Sequence, residues 1–159
     1  MFTMYINCKH ALKKETLGQA FGQSIIFLYN CAMKTILVDA VHCFVSIEGH
    51  IFEDMYALLE TYPNKKILTT GANDNEFKKF GLDKMPYEVF RLSHNPEKTD
   101  PRYYETLLSR FNLKKEEAIY FEHNPQAVTS AQSVGIKTYF YDKEKKDLKG
   151  LKAFLDSNL

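Results

Sequence analysis

The sequence predicts a doubly wound α/β domain: a mostly parallel sheet of five strands, with helices on both faces. Three observations predict it. Short apolar runs rich in β-branched residues alternate with amphipathic stretches at helical spacing. Helix starts and stops, such as Asp100-Pro101 and Gly135, separate them. The most apolar run ends on a carboxylate, Asp39, followed at once by a turn-like segment.

Residues 34–38 carry Ile36, Leu37 and Val38 and read as a buried first strand that Asp39 closes. A helix is predicted over 49–61, with Ile51, Met55, Leu58 and Leu59 on one face and Pro63-Asn64 as its stop. A second strand over 65–70 completes a βαβ unit. A short helix follows over 73–82, ended near Gly81, and then a strand over 88–92. Asp100 is an N-cap and Pro101 a first helical residue, with Tyr104, Leu107, Leu108 and Phe111 as the buried face. A strand over 118–121, a helix over 125–134 stopped by Gly135, a strand over 136–141 and a closing amphipathic helix over 146–155 complete the order.

A chain of 159 residues, 45% hydrophobic, is long enough for one domain with a real core. Its net charge of +1 provides no global field for nucleic acid or an anionic membrane. The odd set Cys8, Cys31 and Cys43 lacks metal-type spacing and argues against a disulfide framework, so the expected location is cytoplasmic. The apolar run 25–29 is too short to span a membrane and makes a poor signal peptide. Residues 1–32 lack clear periodicity, whereas Met33-Lys34 reads like a natural start. The expectation is a domain over 33–159 preceded by an extension over 1–32, either disordered, not native, or laid over the core as a helix or lid.

Open α/β sheets gather ligands at the carboxyl ends of their strands, so Asp39 is placed to act as a nucleophile, a metal ligand or both. The stretch Asp39-Ala-Val-His-Cys43 lacks the second acid that such chemistry usually needs.

The order Asp39, then Thr69-Thr-Gly71, then Lys98-Thr-Asp-Pro101, then Tyr120-Phe-Glu-His-Asn-Pro125 with Ala131 and Gly135, resembles the haloacid-dehalogenase-like (HAD) phosphohydrolases. The resemblance runs from Met33 to about Tyr141 and is strongest over 98–138. It implies a HAD-like Rossmannoid fold in which Asp39 attacks phosphorus. It also implies that Thr69 hydrogen-bonds a phosphoryl oxygen, helped by N–H groups near Thr70 and Gly71, and that Lys98 neutralises the nucleophile and the phosphate. Asp39, the Val41 carbonyl and Glu122 are the implied ligands of a weak Mg²⁺ site.

Departures from the family pattern bear on activity. Val41 replaces the acid that protonates the leaving group, a loss worth about 10²–10⁴ in rate, roughly 3–5 kcal/mol of barrier. His42 and Cys43 take the places of the usual Gly and Thr, and Ala127 stands where a further Asp is common. His42 and His123 are expected to point away from the reacting centre, because neighbours in an extended segment diverge. Asp39 and Glu122 bring −2 against +1 from Lys98, so only a bound dication turns the site attractive to phosphate. Residues 44–48 and 72–97 leave no room for a cap.

The implied activity is a slow phosphomonoester or acyl-phosphate hydrolase acting through an aspartyl-phosphate on Asp39. Its partner would be a small phosphate or a larger phosphorylated substrate. The alternative is a catalytically inactive HAD-like binding or interaction module. A third reading is a metal-independent dehalogenase-type enzyme in which Asp39 attacks carbon.

Overall fold

Alternation along the strands decides how the sheet is buried. The computed structural model of the chain describes residues 33–159, so the expectations for 1–32 lie outside the described residues. Five strands, β1 (Thr35–Asp39), β2 (Lys66–Thr70), β3 (Glu88–Arg91), β4 (Ala118–Glu122) and β5 (Lys137–Phe140), form one sheet in the order β3-β2-β1-β4-β5. Every pairing is parallel. The connections carry α1 (Glu53–Glu60), α2 (Asp74–Lys79), α3 (Pro101–Arg110) and α4 (Pro125–Ser133), and α5 (Leu148–Asn158) follows β5.

Successive strand residues feed opposite cores. Ile36, Val38, Leu68, Ile119 and Phe121 pack with Met55 and Leu59 of α1 and Leu151 and Leu155 of α5. Leu37, Ile67, Phe90 and Tyr120 pack with Tyr103, Tyr104 and Leu107 of α3 and Ala131 of α4. The sheet is therefore covered on both faces, as its continuous apolar strands require. The chain moves outward from β1 through β2 to β3, then returns to lay β4 on the other side of β1. The strand order reverses at β1, which opens a crevice beyond the carboxyl ends of β1 and β4.

The caps act as expected at α3 and α4. The Asp100 side chain accepts from the Arg102 N–H at 2.9 Å, and Asn124 accepts from Gln126 N–H at 2.9 Å. Gly135, at φ +87°, stops α4 in a left-handed conformation. Three helices differ from the sequence expectation by more than one residue. The first helix begins at Glu53 rather than 49, because Gly49 has φ +86° and Ile51 is bridged to Val45, which itself pairs with Val41. The last helix begins at Leu148, where Asp147 caps the Gly150 N–H at 2.9 Å, and runs on to Asn158. The short helix after β2 ends at Lys79, and a separate 3-10 turn covers Leu82–Lys84 beyond the left-handed Gly81.

Tyr103, absent from the predicted face of α3, is fully buried. Its hydroxyl accepts from the Thr70 N–H at 3.1 Å and lies 2.8 Å from the Thr70 carbonyl and 3.2 Å from the Phe90 carbonyl. It ties the ends of β2 and β3 to α3. Tyr103→Phe strands those backbone groups and is expected to lower stability by about 1–3 kcal/mol, read from urea unfolding with an unchanged m value.

Candidate functional site

Register and strand period place the polar groups of the crevice. Asp39 pairs with Thr69, and Leu37 pairs with Tyr120, so Asp39, Thr69, Tyr120 and Glu122 all project toward α3. Asp39 is 2% exposed and Glu122 is fully buried. Two carboxylates in so dry a place require cations.

Lys98, in the turn leading to α3, supplies one. Its Nζ donates to Asp39 Oδ1 and, at 2.6 Å, to Glu122 Oε2. Burial alone would lower its pKa, but the charges of Asp39 and Glu122 outweigh that and raise it well above the ordinary lysine value. Burial likewise works against ionisation of Glu122, yet Lys98, together with hydrogen bonds from His123 and Tyr120, holds it far below the usual carboxylate range.

His123 supplies the other. Its Nδ1 lies 2.5 Å from Asp39 Oδ2 and 3.0 Å from Glu122 Oε1. Burial opposes its charge, but hydrogen bonds to the two carboxylates prevail and raise its pKa to about 9. This corrects the expectation that His123 diverges from Glu122 toward solvent. His123 sits at the bend where β4 has ended, so the alternation of an extended strand no longer governs its direction.

The remaining oxygens are also engaged. Glu122 Oε2 accepts from the Tyr120 hydroxyl, and Oε1 accepts from the Asn124 N–H at 2.9 Å. Thr69 is fully buried, and its hydroxyl lies 3.1 Å from the Tyr120 oxygen and 3.3 Å from the Val38 carbonyl. It joins the network at one remove from Asp39. The Val41 side chain packs against the apolar core on the other face of the sheet. His42 takes φ +75° and sets its ring edge-on to that of His123, with centroids 4.9 Å apart. Burial, then the charges of Lys143 and His123, lower its pKa. Cys43 is buried beside Asp39, and burial pushes its thiol well up.

The structure thus brings Asp39, Lys98 and Glu122 together. Tyr120 escaped the sequence reading although a signal existed: it stands two residues before Glu122 in an otherwise apolar strand, where a tyrosine hydroxyl needs a partner.

Mg²⁺ can be tested against these residues. Both oxygens of Asp39 and both of Glu122 already accept from protein donors, and two cationic side chains stand against the two carboxylates. The metal-ligating side chains that converge on Asp39 are the Cys43 thiol and the His123 imidazole. Such a set does not fit a hard cation that demands octahedral oxygen ligation.

A further histidine, His94, is anchored in the segment that precedes Lys98. His94 Nε2 lies 2.6 Å from Glu76 Oε2 and its Nδ1 lies 2.8 Å from Glu97 Oε1, while its N–H donates to the Gly71 carbonyl at 2.9 Å.

Removing the cation that joins the two acids tests the network. Lys98→Met is expected to lower stability by about 3–5 kcal/mol at neutral pH, measured by denaturant unfolding, because the carboxylates lose their bridge. Part of the loss returns as the pH falls and an acid takes up a proton. The hydrogen bond to Glu76 leads the factors that raise the His94 pKa above its ordinary 6.5. Its contribution to stability is full below that value and is lost as the pH rises through the folded pKa. An NMR titration is expected to place the His94 midpoint above 6.5, and Glu76→Gln to lower it.

No family model matches the sequence, and no curated protein matches it. Solved structures do. A HAD family enzyme from Bacteroides thetaiotaomicron, an Asp-to-Ala mutant in complex with magnesium and inorganic phosphate, matches with a TM-score of 0.60 and 12% identity over 75% of this chain and 98% of its own. A HAD-superfamily hydrolase from Geobacter sulfurreducens matches at 0.56 and 14% identity, over 74% of this chain and 92% of its own. A conserved haloacid dehalogenase-like protein of unknown function from Agrobacterium tumefaciens matches at 0.54 and 9% identity, over 78% and 99%. The chain, with its all-parallel five-stranded sheet in the order β3-β2-β1-β4-β5, no cap among the described residues and an acid ending β1, has the HAD-like fold of these proteins.

Proposed function

We propose that the domain is a catalytically inactive HAD-like binding or interaction module. One observation carries the reading: each oxygen of Asp39 accepts from a cationic side chain, Oδ1 from Lys98 and Oδ2 from His123. A carboxylate whose charge is neutralised by two cations, one of them the added imidazole of His123, is a poor nucleophile. Asp39 and Glu122 against Lys98 and His123 sum to zero charge, so the crevice has no net pull on a phosphate dianion. Val41 offers no proton to a leaving group. No helix among the described residues is long and apolar enough to cross a membrane. A reducing, cytoplasmic setting suits the free thiol of Cys43.

The second reading is the slow phosphomonoester or acyl-phosphate hydrolase, in which Asp39 forms an aspartyl-phosphate and Lys98 and Thr69 act on the phosphoryl group. The contact of Lys98 with Asp39 at the strand end favours it. It suits substrates whose leaving group needs no proton, and the phosphate bound by the Bacteroides protein supports a phosphorylated substrate for this reading.

A chromogenic phosphate assay with Mg²⁺ separates the two. The wild type is expected to match Asp39→Asn at background, with Mg²⁺-dependent turnover only in the Val41→Asp, His123→Asp double variant. Wild-type turnover that Asp39→Asn abolishes overturns the inactive reading and establishes the hydrolase.

A further inference from the structure

Three chemically different donors converge at the mouth of the crevice. An Asp39 carboxylate oxygen, the Cys43 sulfur and a His123 ring nitrogen lie within 4.8 Å of one another. Asp39 and Cys43 are 2% and 1% exposed, and His123 covers them with its side chain 22% exposed. Glu122 stands apart from this group, held by Lys98, Tyr120 and the Asn124 N–H. A cavity of about 340 Å³ on the side of α1 includes His42 and Cys43 in its wall.

We propose that Asp39, Cys43 and His123 form a binding site for a borderline transition-metal dication of the Zn²⁺ class, with its fourth position open on the His42 side. Zinc accepts carboxylate, thiolate and imidazole together, at about 2.0–2.3 Å, and keeps an open position when the protein supplies three ligands. Ligand atoms at most 4.8 Å apart reach that sphere by side-chain rotation of about 1 Å, without movement of the strands. His42, whose ring packs on His123, is placed to support the ligand set from the open side.

Charge balance selects this class of ion. Binding displaces one proton from His123 and one from Cys43. The metal's +2 is then matched by the Asp39 carboxylate and the Cys43 thiolate, while Lys98 releases Asp39 and stays on Glu122 as a neutral pair. Every buried charge has a partner. A hard ion that left the thiol protonated would leave one positive charge uncompensated in the same space, and sulfur is a poor ligand for it.

The site is independent of whether the domain hydrolyses phosphate, and its test reads binding rather than turnover. Metal-free full-length chain is titrated with Co²⁺, whose thiolate charge-transfer band reports sulfur ligation and whose visible bands report tetrahedral geometry. The expected result is a band that saturates at one equivalent, is displaced by Zn²⁺ and is unaffected by Mg²⁺. It is retained in the Cys8→Ser, Cys31→Ser double variant and lost in Cys43→Ser. His123→Gln is expected to weaken Co²⁺ binding about tenfold or more. Circular dichroism confirms that each variant is folded. Absence of Co²⁺ and Zn²⁺ binding up to millimolar concentration overturns the proposal. Binding without a thiolate band, or a band that survives Cys43→Ser, overturns it equally.

Discussion

Two carboxylates buried within one crevice, bridged by a single lysine, are the constraint around which this domain is organised. Asp39 arrives on β1 and Glu122 on β4, and the reversal of strand order sets the ends of those two strands side by side. Placed there without Lys98, the two charges would repel each other in a space with little water to screen them. The turn that presents Lys98 is itself pinned, by the Asp100 cap on α3 and by His94 between Glu76 and Glu97. Stability and the geometry of the site therefore rest on the same few residues.

Around that bridge, the reading proposed above rests on groups that suit hard-cation phosphoryl transfer poorly. The position two residues after Asp39 is apolar and belongs to the opposite core. An imidazole and a thiol stand near the carboxylate, and neither is a preferred ligand of a hard cation. The fold around them is intact, with both faces of the sheet packed and the starts of α3 and α4 capped by Asp100 and Asn124. A scaffold that keeps its architecture while its reactive groups change is consistent with the general independence of fold and function. It also explains how proteins of 9–14% identity share this architecture, since parallel sheets ask for apolar strands rather than particular residues.

Much of the fold was legible in the chain. The alternation of strands and helices, the carboxylate ending β1, and the starts of α3 and α4 all follow from local rules about period and capping. The start of α1 was not legible, because the pairing of Val45 with both Val41 and Ile51 joins residues whose separate propensities are silent about it. Tyr103 was passed over for a similar reason: its neighbour Tyr104 satisfies the same helical spacing, and only packing shows that both are buried. In the site, Asp39, Lys98 and Glu122 were recognised from their order along the chain. The direction of His123 depends on a bend beyond the strand, which local sequence does not specify.

Sequence by itself determined the class of fold, the strand-end position of Asp39 and the absence of an acid at Val41, because these depend on residue type and on periodicity over a few positions. Tertiary structure alone decided that His123 turns inward to meet Asp39 and Glu122, that Tyr120 and Thr69 extend the network, and that Cys43 comes within reach of both Asp39 and His123. Those contacts join residues up to 84 positions apart. Their partners are chosen by the register of parallel strands and the turns beyond them, which no local pattern encodes.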